Sequence, residues 1–319
     1  MLIVSLTTLP SRLKDIETTL ISIEKQTRKP DCILLNLPFN KTYDLQILHQ
    51  LQKRFSTFLV INNTLLEKDY GPVCKLLGAL FYLDYINEKK SQQIITIDDD
   101  VDYHPTLIED LLFYYNQQKQ KKQAISFGGA SVQRLPPFIK TQRTNVDPKS
   151  LSFGESLLHF HKPEGTNGRQ GNKGVEVDWL MGTAGVLYDS NMFRKEDIDL
   201  LIKWSENEYM FRADDVTISA ILSKNHIKRL LVWPTKNNSY TKEEKCLEDS
   251  LSKNLIKAYR NHMYSYLHCK YYYDCFLTNT NISGQDEIIT TTIYAICIIA
   301  LIILVLFWLY QQIINRYNR

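Results

Sequence analysis

The sequence predicts an open α/β fold built on a largely parallel sheet, and three observations carry that expectation. Short apolar runs alternate with stripes of helical spacing through the first half, the pattern of strand–helix–strand units. One of those runs, 94–97, ends abruptly in Asp98-Asp99-Asp100. A second acidic pair, Asp214-Asp215, stands at the head of a later helical stripe.

Taken in order, the predicted strands are 2–6, 33–37, 58–61 and 94–97. Between them Leu13, Ile16, Leu20 and Ile23 recur at helical spacing, as do Leu76, Leu77, Leu80 and Leu83, and then Leu107, Leu111 and Tyr114. These stripes are core. From about Ala124 the pattern loosens, and the glycine-rich polar stretch 162–174 is expected to be either a lid or a linker. Order returns at 175–186, with a helix at 213–222 and a strand at 227–232.

The chain has 319 residues, 44% hydrophobic and 23% charged, which supports one large or two small domains. Its net charge of +3 gives no reason to expect a nucleic acid partner. The six cysteines show no CxxC pair and no zinc spacing, and Cys269 with Cys275 is the one plausible bridge.

At the C-terminal end, 288–310 is an uncharged apolar run, long enough to cross a bilayer, with Trp308 and Tyr310 suited to its interface. The opening residues lack a basic leader. The expectation is a single-pass, C-terminally anchored membrane protein with its large domain in the cytoplasm. The flanking charges, Asp286 and Glu287 before the run and Arg316 and Arg319 after it, favour the opposite orientation. The division expected is 1–235 as the main domain, 236–287 as a helical, aromatic membrane-proximal segment, 288–310 as the span and 311–319 as a tail.

Three adjacent carboxylates repel one another, and at the end of a strand they are sensible where a cation sits among them. Oxygen ligands suit Mg²⁺ or Mn²⁺, and such an ion holds a diphosphate. A solvated acidic turn ahead of the helix near Thr106 is the alternative. In the second pair a helix cap occupies one carboxylate at most, which leaves the other free to act as a general base.

The segments Val4-Ser5-Leu6-Thr7-Thr8-Leu9-Pro10-Ser11-Arg12, Ser22-Ile23-Glu24-Lys25-Gln26-Thr27, Asp69-Tyr70-Gly71-Pro72-Val73-Cys74-Lys75, Ile97-Asp98-Asp99-Asp100-Val101 and Asp214-Asp215-Val216 together resemble the GT-A glycosyltransferases of the family-2-like branch. The likeness spans residues 1–235. It implies a GT-A fold, a Rossmann-like mixed sheet flanked by helices, with a DxD motif at Asp98 and Asp100. By that resemblance Asp100 is a metal ligand, Asp98 meets the ion or the ribose, and Asp99 belongs to the donor site. Thr8 and Arg12 would line the nucleotide pocket, with Asp69 and Lys75 flanking it and Lys75 facing the diphosphate.

The stretch 175–186 is similar to the family's acceptor-side wall, where Trp179 would stack on a sugar or pack in the core and Gly182 would let backbone and substrate approach. Asp215, ahead of Asp214, would be the base of an inverting displacement. His226, His262 and His268 receive no role.

The function implied is a metal-dependent glycosyltransferase with Mn²⁺ or Mg²⁺, a nucleotide-sugar donor and a glycan, protein or lipid acceptor. Two rivals stand beside it: a non-catalytic membrane-anchored nucleotide-sugar-binding protein, and a haloacid-dehalogenase-like phosphatase. The latter carries its aspartate motif on an early strand, whereas three predicted strands precede it here.

Overall fold

The computed structural model describes residues 1–117, 123–132, 158–161, 174–235, 240–244, 261, 265, 268 and 269. Within them the strands are β1 (Leu2–Thr7), β2 (Cys32–Asn36), β3 (Leu59–Asn62), β4 (Gln93–Thr96), β5 (Val101–Tyr103), β6 (Gln123–Ser126), β7 (Gly129–Val132), β8 (Leu158–His161), β9 (Val175–Glu176), β10 (Trp179–Leu180), β11 (Val186–Asp189), β12 (Lys228–Leu231) and β13 (Thr241–Glu244). The helices are α1 (Glu17–Glu24), α2 (Leu45–Arg54), α3 (Cys74–Tyr85), α4 (Leu107–Gln117), α5 (Lys195–Trp204) and α6 (Asp214–Lys224).

Strand β1 is buried along its length, so both of its faces need cover and it belongs in the middle of a sheet. It lies there. The main sheet runs β3-β2-β1-β4-β11-β6-β12-β9, with β3, β2, β1 and β4 mutually parallel and β11 inserted antiparallel between β4 and β6. Two small sheets, β10-β7-β8 and β13-β5, complete the strands described. The result is a mixed α/β sheet flanked by helices, and the four predicted strands of the first half all fall on parallel members of it.

This order positions the site. From β1 the chain builds outward to β2 and β3 on one side, then returns to place β4 on the other. The connections leaving β1 and β4 therefore diverge and open a crevice beyond their carboxyl ends. Thr8 follows β1 there, and Asp98-Asp99-Asp100 follow β4.

Helix α3 closes over the sheet through buried polar contacts as well as apolar packing. The Ser5 hydroxyl donates to the Lys75 carbonyl (2.5 Å), and Asn36 donates to Ser5 Oγ (2.8 Å) and accepts from Asn62 (2.9 Å). Each buried polar group thereby finds a partner, and the first turn of α3 is fixed against β1.

Helix α2 lies outside the sequence expectations. Its Asp44 cap accepts from the backbone N–H groups of Gln46 and Ile47, and it buries only Leu48 and Leu51. Cys269 is a buried free thiol, and Cys275, its one plausible bridging partner in the sequence, lies outside the described residues. The stretch 162–173, the run 288–310 and most of 236–287 lie outside the described residues. Among the described residues no helix is long and apolar enough to cross a membrane.

Candidate active site

The triplet turns between β4 and β5, and its three carboxylates meet different partners. Asp99 is the buried one, with its side chain 6% exposed against 29% for Asp98 and 16% for Asp100. Thr8 donates its hydroxyl to Asp99 Oδ2 (2.6 Å), and Arg12 Nη1 lies 3.1 Å from Asp99 Oδ1. Arg12 Nη2 pairs with Asp100, so one guanidinium bridges two neighbouring carboxylates. Thr8 and Arg12, expected at a nucleotide pocket, thus spend these groups on the triplet.

Thr19, a buried polar residue within the apolar stripe of α1, donates to the carbonyls of Asp99 (3.0 Å) and Val101 (2.9 Å) and so pins the turn. Tyr103 accepts from the Asp98 backbone N–H (3.0 Å) and donates to the Thr183 carbonyl (3.1 Å). Neither was singled out by sequence, because their partners come from distant segments.

Lys75 is buried and joins the two acidic groups. Its Nζ lies 2.7 Å from Asp98 Oδ1 and 2.9 Å from Asp214 Oδ2. Burial opposes its charge, but Asp214, Asp98 and Asp215 outweigh that penalty and hold the ammonium well above the usual lysine range. Lys75, expected to face a diphosphate, is thus held by a carboxylate from each acidic group.

Asp214 and Asp215 open α6, whose cap position is taken by Ala213, so neither carboxylate serves as the cap. Both lie in the first turn, where the helix dipole favours negative charge. Asp215 is half-buried, and its Oδ1 accepts from the Gly182 backbone N–H (2.8 Å). Burial first, and then the charge of Asp214, raise its carboxyl well above the ordinary range despite Lys75 and that N–H. Gly182 is required by proximity: a Cβ there would sit 2.5 Å from Lys75 Nζ and 3.2 Å from Asp215 Oδ1.

The loop ahead of α3 sets where α6 begins. Gly71 has φ +80°, and a Cβ on it would lie 2.2 Å from the Phe211 carbonyl oxygen, in the short turn that leads into Asp214. Asp69 accepts from the Gly71 N–H (2.8 Å), pairs with Lys41 (3.3 Å) and donates its own N–H to Asn40 (2.9 Å), tying two loops together. Tyr43 donates to the Thr8 carbonyl (2.9 Å). Burial, with the charges of Asp69, Cys74 and Asp99, pushes its hydroxyl up and keeps it neutral.

No family model matches this sequence, and no curated protein matches it. Among solved structures the fold aligns with a crystal structure of 4-diphosphocytidyl-2C-methyl-D-erythritol synthase at 10% identity and a TM-score of 0.41, covering 76% of this chain and 93% of that one. A likeness of that size carries neither activity nor substrate across.

Trp179 stands apart from the cluster, as does His226, to which no role is assigned. Trp179 is 0% exposed, which fits the core-packing one of its two expected readings. His226 is an exposed turn residue with positive φ, and His262 lies outside the described residues. Among the described residues no group of three or more His, Cys, Asp or Glu side chains is arranged to hold a metal ion.

What is assembled is five carboxylates, Asp98, Asp99, Asp100, Asp214 and Asp215, around two cations, Lys75 and Arg12. Burial and like charge shift Asp99, Asp100 and Asp215 upward. Burial pushes Asp99 up to about 6, against Arg12 and Thr8, and raises Asp100 together with the charge of Asp98.

Proposed function

We propose that this chain is a glycosyltransferase that moves a sugar from a nucleotide-diphosphate donor to an acceptor hydroxyl, dependent on Mn²⁺ or Mg²⁺ and proceeding with inversion. The observation that carries the proposal is the excess of carboxylates gathered at the carboxyl edge of β1 and β4, where open α/β sheets bind ligands. The resemblance of five sequence segments to GT-A enzymes supports the same reading.

Asp98 and Asp100 would hold the ion. They are the solvent-facing members of the triplet, and each spends a single contact on its cation, Lys75 or Arg12. Two carboxylates with donor phosphates and water suit Mg²⁺ or Mn²⁺, which keep several non-protein ligands. When bound, the ion would neutralise charge developing on the departing diphosphate. Asp99 stays behind them as the fixed point held by Thr8 and Arg12.

Asp215 would be the general base. Its raised carboxyl is a stronger proton acceptor than an ordinary carboxylate, and the Gly182 N–H fixes its orientation. Asp214, only 9% exposed and paired with Lys75, is the supporting charge. Removal of the acceptor proton by Asp215 and attack by the freed oxygen in one displacement give the inverted product.

The run 288–310 would fix the enzyme to a membrane, a reading supported by its uncharged apolar composition.

A thermal-shift screen of nucleotide sugars, with and without Mn²⁺, tests the proposal. One donor is expected to raise the melting temperature only when the ion is present. Uniform indifference to every donor, or equal stabilisation after chelation, would sink it. The anomeric configuration of the product, read by NMR, then separates inversion from retention.

A further inference from the structure

We propose that Lys75 is a positioning residue that couples the two acidic halves of the site, so that a cation arriving at Asp98 changes how Asp214 and Asp215 are held. The inference rests on the metal-dependent reading above and deepens it.

One ammonium, with its side chain 4% exposed, serves Asp98 at 2.7 Å and Asp214 at 2.9 Å. Only the Asp98 contact has hydrogen-bond geometry; the Asp214 Oδ2 partner is held by charge alone. The backbone behind Lys75 is fixed, because its carbonyl receives the Ser5 hydroxyl from β1 at 2.5 Å. In front stands Gly182, whose absent Cβ would come within 2.5 Å of Nζ and whose N–H holds Asp215 at 2.8 Å. The ammonium therefore cannot shift far without disturbing the residue that orients Asp215.

Lys75 and a divalent ion carry the same sign and share one carboxylate. An ion at Asp98 weakens the hold of Lys75 on that side and leaves its charge to Asp214. Occupancy of the donor end is thereby transmitted to the base end through a single compact charge. Lysine suits this better than arginine, being a point charge on a flexible stem in a space closed by Gly182.

Mn²⁺ binding to the full chain, measured by titration calorimetry, tests the coupling alongside turnover. Lys75→Met is expected to bind Mn²⁺ roughly tenfold more tightly, since a competing charge is gone, while turnover falls about a hundredfold. Asp214→Asn is expected to weaken Mn²⁺ about threefold, and that effect should vanish in the Lys75→Met background.

A lysine that merely supports the fold would give weaker binding and slower turnover together, or leave the Asp214→Asn effect intact in the double variant; either result overturns the coupling. Should Lys75→Met not fold, Gly182→Ala displaces Nζ with every charge in place, and unchanged Mn²⁺ affinity in that variant overturns it equally. A wild type that binds no Mn²⁺ removes the metal-dependent reading itself, and the coupling with it, a result distinct from wild-type binding with indifferent variants.

Discussion

The two acidic groups of this molecule are held in opposite ways. The triplet after β4 is locked from several directions: Arg12 spans Asp99 and Asp100, Thr8 grips Asp99, and Thr19 and Tyr103 fix the backbone. The pair at the head of α6 shares Lys75 through Asp214 alone, and Asp215 is left with one backbone N–H. Burial and like charge push Asp99, Asp100 and Asp215 alike toward the proton, but in the triplet Arg12 opposes that push in direct contact with Asp99 and Asp100, whereas Asp215 has only the Gly182 N–H in contact and the charge of Lys75 nearby. The first arrangement suits a group that must stay a ligand, and the second suits one that must take a proton and release it.

The contrast breaks most sharply at Asp215. Asp215→Asn keeps the Gly182 contact available and removes the proton acceptor, so turnover of the donor found by the thermal-shift screen is expected to fall about a thousandfold. Mn²⁺ and donor affinities should stay within a few-fold of wild type. Loss of donor binding in step with turnover would make Asp215 a binding residue and end its assignment as the base.

The two glycines that serve the pair are expected to separate fold from chemistry. Gly71→Ala meets a backbone oxygen at 2.2 Å in a positive-φ conformation, and an expected cost of about 3–5 kcal/mol in chemical denaturation follows. Gly182→Ala meets the end of a side chain instead, so its expected cost is about 1–2 kcal/mol, yet it disturbs Lys75 and Asp215 together and should reduce turnover more than tenfold. Equal stability losses with equal turnover would dissolve the distinction.

Much of this was open to a reading of the sequence, and the limit has a physical cause. A run of like charges after an apolar strand is local, so the triplet and its place at a strand end were legible, as were β1 to β4 and α6. The helix α2 carried a local signal too, an Asp44 cap followed by Leu48, Leu51 and Phe55 at helical spacing, and the sequence expectations left it out. Strands β9 and β10 are two residues each, too short for any period to show. Lys75 was visible as a charged residue beside the site, but its true partners come from two distant turns, and nothing local distinguishes a buried bridge from a free phosphate contact. Trp179 stayed open between two readings for the same reason: whether a ring faces a crevice or a core is decided by what packs over it.

The effect most diagnostic of how the triplet is held concerns Asp99. Its carboxyl is raised from 3.8 to about 6, burial being the largest cause, with Arg12 and Thr8 pulling the other way. Because the folded state raises this value, Asp99 contributes stability that is fully present below about 4 and lost as pH climbs through about 6. The shift corresponds to about 3 kcal/mol at most, at ~1.4 kcal/mol per unit. Asn mimics the neutral carboxyl, so wild-type stability minus that of Asp99→Asn, from urea denaturation between pH 4 and pH 7, is expected to decline and then level off. If the ion pair with Arg12 outweighed burial, the same difference would rise with pH instead. The sign alone therefore decides whether Asp99 is a buried anchor that tolerates its charge or a paired carboxylate that depends on it.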